Sequence, residues 1–261
     1  MNIFETSFKQ TKSKGKPAFM PFLVAGDPNY KSSLALFRTL APHADMLEIG
    51  FPYSDPLADG PTIQAADERA LQSGMNSDKV FSLIKEIRLF YKRPISVLVY
   101  ANLVYQYGID AFYKEAASSG INGVLVPDVP YEEAMPFVLA ARKHKISPIF
   151  MATQTTTAER LKKILQYAEG YLYLVSVLGV TGSRTTMGEE TFDFIRRIKK
   201  STILPLALGF GISRKEHIEN AAKAGIDGVI AGSVIIKLLE TNLTNQTTAA
   251  KKIEALVKHL T

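Results

Sequence analysis

Eight short apolar runs punctuate the chain: PAFMPFLVA, DMLEIG, ISVLVY, GVLVPD, SPIFMA, YLYLVS, LPLALGF and GVIAGS. Consecutive apolar positions mean that both faces of a strand are buried, as parallel strands enclosed by helices require. Segments 31–41, 77–92, 108–119, 132–143, 158–167, 189–200 and 214–224 lie between the runs and place apolar residues at helical spacing, so each predicts a helix with one buried face. The alternating order predicts an α/β protein. Ala116-Ala117-Ser118-Ser119-Gly120-Ile121-Asn122-Gly123-Val124 is echoed by Ala221-Ala222-Lys223-Ala224-Gly225-Ile226-Asp227-Gly228-Val229, a helix end, a glycine stop and a new strand in each case. An echo between halves fits a closed (β/α)8 TIM barrel better than an open sheet, and with no linker in the chain the barrel is expected to be a single domain over residues 1–261. An open dinucleotide-binding sheet would carry its glycine fingerprint after the first strand, where this chain reads VAGDPNYKSS.

Composition narrows the chemistry. The chain has 261 residues, 46% of them hydrophobic, enough for one large core. It has no cysteine, which excludes disulfides, thiolate ligands and thiol nucleophiles. The beginning, MNIFETSFKQTKSKGK, has no long apolar run, so neither a signal peptide nor an anchor is expected and the protein is read as soluble and cytoplasmic. Asn242-Leu243-Thr244 and Asn245-Gln246-Thr247 match the glycosylation pattern but read as a polar loop. The net charge of +6 is spread over amphipathic helices, which suits a solvated outer layer and a mild attraction for small anions, not a nucleic-acid face.

In such a barrel the chemistry sits at the carboxyl ends of the strands. Those ends read Ala25-Gly26-Asp27, Glu48, Tyr100-Ala101-Asn102, Pro127-Asp128, Met151 to Thr153, Ser176, Gly209 and Gly232, without a lysine for a Schiff base. His43, His144, His217 and His259 are scattered over helices or their ends, so no metal centre is expected. Carboxylates remain. Glu48 ends an apolar strand; it is either a desolvated acid/base or a structural carboxylate held by an arginine or by amides. Asp59, in Ala58-Asp59-Gly60-Pro61, is either a site residue or the cap of the helix that starts near Pro61. Asp27 and Asp55 each precede a proline and read as turn residues. Late in the chain, Gly179-Val180-Thr181-Gly182, Gly209-Phe210-Gly211 and Gly232-Ser233 follow the last three strands, where backbone amides and a helix N-terminus favour a phosphate.

The series from Glu48 to Gln64, EIGFPYSDPLADGPTIQ, together with Tyr100-Ala101-Asn102 and the three glycine segments, closely resembles the α subunit of tryptophan synthase, over nearly the whole chain and in the right order. The resemblance implies a cofactor-free retro-aldol cleavage of indole-3-glycerol phosphate to indole and glyceraldehyde 3-phosphate. It implies that Glu48 is the general acid/base, that Asp59 accepts a hydrogen bond from the indole N–H, and that Tyr173 supports Glu48 and the indole pocket. Phe22, Leu98, Leu125, Met151 and Phe210 look like walls of the indole pocket, and Gly182, Gly211, Gly232 and Ser233 like the phosphate cradle. The family also associates with a pyridoxal-phosphate β subunit in an α2β2 heterotetramer and passes indole through a channel, so the cofactor is expected on that partner alone. Candidate contacts are the Pro52 to Asp59 loop, Asn102 to Tyr107 and Pro130-Tyr131, with Tyr105, Tyr107 and Tyr131 as exposed aromatics.

The chain departs from some members of the family at Val177-Leu178, where they carry Arg-Ser, and at Pro127, where Ala is expected in some relatives. Arg184 is a candidate substitute for that arginine. Two other readings compete: a phosphosugar isomerase or lyase with another base, and a non-catalytic subunit that binds the phosphate ligand and activates its partner.

Overall fold

The computed structural model describes residues 2–175, 189–209 and 211–261. Eight parallel strands, β1 (Ala18–Val24), β2 (Leu47–Gly50), β3 (Ile95–Leu98), β4 (Gly123–Leu125), β5 (Ser147–Thr153), β6 (Leu172–Val175), β7 (Leu206–Gly209) and β8 (Gly228–Ala231), close into a barrel in chain order, with β8 returning to β1. Each expected run holds one strand. The helices that follow the expected segments are α2 (Tyr30–Leu40), α4 (Ser77–Phe90), α6 (Ile109–Ser118), α7 (Met135–Lys143), α8 (Ala158–Ile164), α9 (Glu189–Lys199) and α10 (Lys215–Lys223). Five more are α1 (Ile3–Ser13), α3 (Pro61–Gln72), α5 (Ala101–Tyr107), α11 (Ser233–Glu240) and α12 (Gln246–Leu260).

Strand alternation decides which side chains meet inside. Register pairs Phe22 with Glu48, Glu48 with Ser96, Leu98 with Leu125 and Met151 with Tyr173. Leu47 and Ile49, on the opposite face of β2, are fully buried under the helical layer. The only carboxylate on β2 is therefore surrounded by barrel interior, although its strand reads as uniformly apolar around it.

The amino end of the barrel is closed by α1, which the sequence reading left unassigned. Phe4 and Phe8 stand one turn apart on one face and meet the Tyr171 ring edge-on at 5.4 and 5.9 Å. Gly123 and Gly228 make room for them: a methyl on these residues would lie 3.0 Å from the Phe4 ring and 2.7 Å from the Phe8 ring, respectively. Asn2 fixes the helix from both sides, accepting from the Phe4 N–H at 3.0 Å and donating to Ser147 Oγ at 2.6 Å. This plug holds Tyr171 from below, which matters for what Tyr171 does above. The candidate glycosylation triplets fall in the turn before α12 and in its first residues, where the Asn245 side chain accepts from the Thr248 N–H as the helix cap. Among the described residues no helix is long and apolar enough to cross a membrane.

Candidate functional site

Glu48 is fully buried. One carboxylate oxygen, Oε1, faces the Tyr171 hydroxyl at 3.4 Å, but that hydroxyl lies closer to Ser96 Oγ, at 3.0 Å. A phenol carries one proton, so Tyr171 cannot donate to both. The other oxygen, Oε2, has no hydrogen-bond partner. Neither an arginine nor a set of amides holds this carboxylate among the described residues, so the structural alternative for Glu48 is set aside. Burial pushes its pKa up to about 8, with the Asp59 charge adding to the rise and the Tyr171 hydroxyl opposing it. Such a group exchanges a proton readily near neutral pH.

Asp59 sits on the loop from β2 to α3. The N-cap of α3 is Gly60, with Pro61 opening the helix and no side-chain cap bond, so Asp59 does not cap it. Its Oδ2 accepts instead from the Tyr100 hydroxyl at 2.6 Å, and the same Tyr100 oxygen accepts from the Ala58 N–H at 3.0 Å. Tyr53 stacks on the Tyr100 ring with centroids 5.0 Å apart, and Gln64 Nε2 donates to the Asp59 carbonyl at 2.8 Å. The aromatic stack and these hydrogen bonds hold the loop. Burial raises the pKa of Asp59, and the Tyr100 hydrogen bond works against that rise.

Tyr173 faces both carboxylates: their charges, after burial, push its phenol pKa upward. No hydrogen bond joins it to Glu48; that contact is made by Tyr171, two residues earlier on the same face, while Tyr173 feels the Glu48 charge. Instead the Tyr173 ring lies over Gly209, where an added Cβ would stand 2.2 Å from its hydroxyl oxygen. Gly209→Ala is therefore expected to destabilise the fold by about 1–3 kcal/mol through overpacking, read as a lower urea midpoint at unchanged slope. In a double-mutant cycle with Tyr173→Leu, which removes the hydroxyl and the ring carbons that the added Cβ would also meet, the two losses should be less than additive, and strict additivity would show that this contact is not the cause.

Of the expected indole walls, Phe22 and Leu125 are buried, and Leu98 and Met151 half-buried. Leu125, Pro127 and Met151 line a cavity of about 300 Å³ that extends to Tyr131 and Arg160. In the expected cradle, Gly232 is the N-cap of α11, and that helix starts at Ser233 with neither a side-chain cap nor an acidic residue in its first turn, a favourable end for an anion. Gly232 also admits Phe22, whose ring lies 3.0 Å from where a Cβ would stand, and Gly211 takes a positive φ of 80°. Ser176, Val177, Leu178, Gly179, Gly182, Arg184 and Phe210 lie outside the described residues.

Several residues acquire other roles. Asp27 is no simple turn residue: it is buried, and Arg69 Nε and Nη2 donate to its two oxygens at 2.7 and 2.8 Å. Asp67, which the sequence reading passed over, is buried on α3 with one oxygen unpartnered. Tyr107 is not an exposed aromatic; it donates to Asp78 at 3.0 Å and packs edge-on against Phe81 and Phe112. Tyr131 is half-buried beneath Arg160 and Lys163. Tyr105 is exposed, as is Leu57 on the Asp59 loop at 92%. His43 and His144 pair with Glu254 and Asp110 in the helical layer.

Comparison with known proteins agrees with this geometry. The profile of the family described as tryptophan synthase alpha chain matches residues 8–261. The tryptophan synthase alpha chain of Methanoregula boonei is 49% identical, covering 89% of this chain and 88% of its own. That of Methanothermobacter thermautotrophicus is 47% identical, over 92% and 89%. Among solved structures, tryptophan synthase subunit alpha of Legionella pneumophila superposes with a TM-score of 0.91 at 32% identity, covering 100% of this chain and 97% of that one. A chain from the Pyrococcus furiosus tryptophan synthase α2β2 complex superposes with a TM-score of 0.89 at 36% identity, over 94% and 98%. With a family profile spanning nearly the whole sequence and relatives this similar over nearly nine-tenths of their length, the chain belongs to the tryptophan synthase alpha chain family.

Proposed function

We propose that this chain is the α subunit of a tryptophan synthase and cleaves indole-3-glycerol phosphate to indole and glyceraldehyde 3-phosphate. The observation that carries the reading is Glu48: a fully buried carboxyl, with one oxygen unpartnered, within electrostatic reach of Asp59 on the loop that follows its own strand. Glu48 begins as the acid and gives its proton to indole C3. Asp59 accepts from the ring N–H and stabilises the positive charge that develops there. Glu48, now the carboxylate, takes the proton of the substrate hydroxyl as the carbon–carbon bond breaks. The bonding pair returns to the ring, the hydroxyl carbon becomes the aldehyde, and Glu48 is again the acid. In this reading the substrate phosphate binds at Gly211, Gly232, Ser233 and the N-terminus of α11, and the resemblance adds Gly182 to the cradle. Phe22, Leu98, Leu125, Met151 and Phe210 wall the ring.

The reaction moves protons and one electron pair within the substrate, so two carboxyl groups suffice for it. No lysine stands at a described strand end to carry an aldehyde-derived cofactor. Pyridoxal phosphate belongs, in this reading, to a β subunit in an α2β2 assembly, to which indole passes directly. The exposed Leu57, on the loop that carries Asp59, and Tyr105 on α5 support docking on this rim, and docking there would act on the Asp59 loop itself. Indole release from indole-3-glycerol phosphate, by the chain alone and with a β subunit, tests the proposal. Release that the partner accelerates is expected. No release under either condition, with the phosphate ligand still bound, would leave a non-catalytic partner subunit as the reading.

A further inference from the structure

Asp67 lies on the buried face of α3 between Ala66 and Ala70, and only 3% of it is exposed. Three carboxylates converge here. Asp59 faces it from the β2 to α3 loop and Asp27 from the end of β1. Two of the three have dedicated partners: Asp27 takes two donors from Arg69, and Asp59 takes the Tyr100 hydroxyl. Arg69 is committed to Asp27 and lies 3.9 Å from Glu240 of α11. Asp67 is left with the Tyr53 backbone N–H and an unpartnered Oδ2. Three acids with one guanidinium between them, Asp27 and Asp67 buried and Asp59 half-buried, are most stable with one acid protonated, and the proton settles on the acid with fewest donors.

We propose that Asp67 is a positioning residue that carries the proton of this cluster, so that Asp59 stays ionised and its loop stays seated against α3 through the neutral pH range. The path to Asp59 is short. Asp67 meets the N–H of Tyr53, Tyr53 stacks on Tyr100, and Tyr100 binds Asp59 and the Ala58 N–H. Burial first, and then the Asp59 charge, push the Asp67 pKa up to about 8. Above that range Asp67 becomes a second anion beside Asp59, repulsion opposes seating of the loop, and substrate binding weakens. The kinetic part of this inference rests on the proposed function; the protonation part does not.

An NMR titration of the full chain with 13C-labelled aspartate carboxyls reads the proton directly. One resonance is expected to titrate about three or more pH units above a solvated aspartate, to vanish in Asp67→Asn, and not to be the signal that Asp59→Asn removes. If the signal lost in Asp67→Asn titrates in the ordinary carboxylate range, or if the late one belongs to Asp59, the proposal is overturned. Kinetics distinguish positioning from packing. Asp67→Asn keeps an acceptor for Tyr53 and cannot ionise, so at alkaline pH its KM should lie about threefold or more below that of the wild type, whereas Asp67→Ala should raise KM about tenfold at neutral pH. Coincident KM profiles for wild type and Asp67→Asn overturn the positioning role. A wild type that releases no indole would sink the proposed function and leave the titration to decide the protonation of Asp67.

Discussion

Glu48→Gln lowers indole release by about 10²- to 10⁴-fold, the range that a positioned general acid/base contributes, and makes the fold more stable at neutral and alkaline pH. Both effects have one cause. The carboxyl is fully buried beside a hydroxyl that sits closer to Ser96 than to Glu48, so its charged form is poorly compensated and its protonated form is favoured. A carboxyl whose pKa is higher folded than unfolded contributes its full stability below the unfolded value and loses it as pH rises through the folded one. From the ordinary 4.5 up to about 8, Glu48 therefore removes up to about 1.4 kcal/mol of stability per pH unit. The glutamine has nothing to lose over that window. Urea midpoints of the two proteins should separate as pH rises and run parallel above about 8; Asp67 is present in both, so the difference isolates Glu48. A variant that keeps wild-type turnover, or a midpoint gap that does not change with pH, would show that Glu48 is neither the shuttle nor destabilised by its burial.

The barrel was legible because parallel strands buried on both faces leave continuous apolar runs, and all eight did so. Glu48 was legible for the complementary reason: a carboxylate inside such a run has no solvent to reach. What the sequence concealed were the pairings. Tyr100 and Asp59 are 41 residues apart, and Asp27 and Arg69 are 42 apart; nothing local to either aspartate announces its partner, so one was left between cap and catalyst and the other was read as a turn. Tyr171 could have been found, since it shares the inward face with Tyr173, but only α1 pressing from below shows why its hydroxyl stops at the level of Glu48. The α1 helix itself carries a readable signal, Phe4, Phe8 and Thr11 at helical spacing, which a polar-looking first segment obscured. Asp67 had one too: it shares the face of Ala66 and Ala70, so the same periodicity that buries them buries it. That no described cation pairs with it is a three-dimensional fact, set by Arg69 turning to Asp27.

Asp59→Asn separates charge from shape at the second carboxylate. The amide oxygen can still accept from Tyr100, whose hydroxyl lies 2.6 Å from the carboxylate it replaces, and the Gln64 bond to the backbone carbonyl is untouched, so the loop should hold its place. The fixed negative charge is lost. A unit positive charge developing on the ring nitrogen about 4 Å from a carboxylate is stabilised by about 4 kcal/mol at an effective dielectric of about 20, and a partial charge by less. Turnover should therefore fall about 10²- to 10³-fold with KM little changed, the signature of an interaction made mainly in the transition state. Tyr100→Phe supplies the converse: the charge on Asp59 remains, but its tether and the acceptor for the Ala58 N–H are gone, so KM should rise along with a smaller fall in turnover. If Asp59→Asn instead raised KM and left turnover alone, Asp59 would be a substrate-binding group and not a stabiliser of the charged ring. In that event the burden of the reaction would rest on Glu48, whose carboxyl alone would then have to account for the chemistry at indole C3.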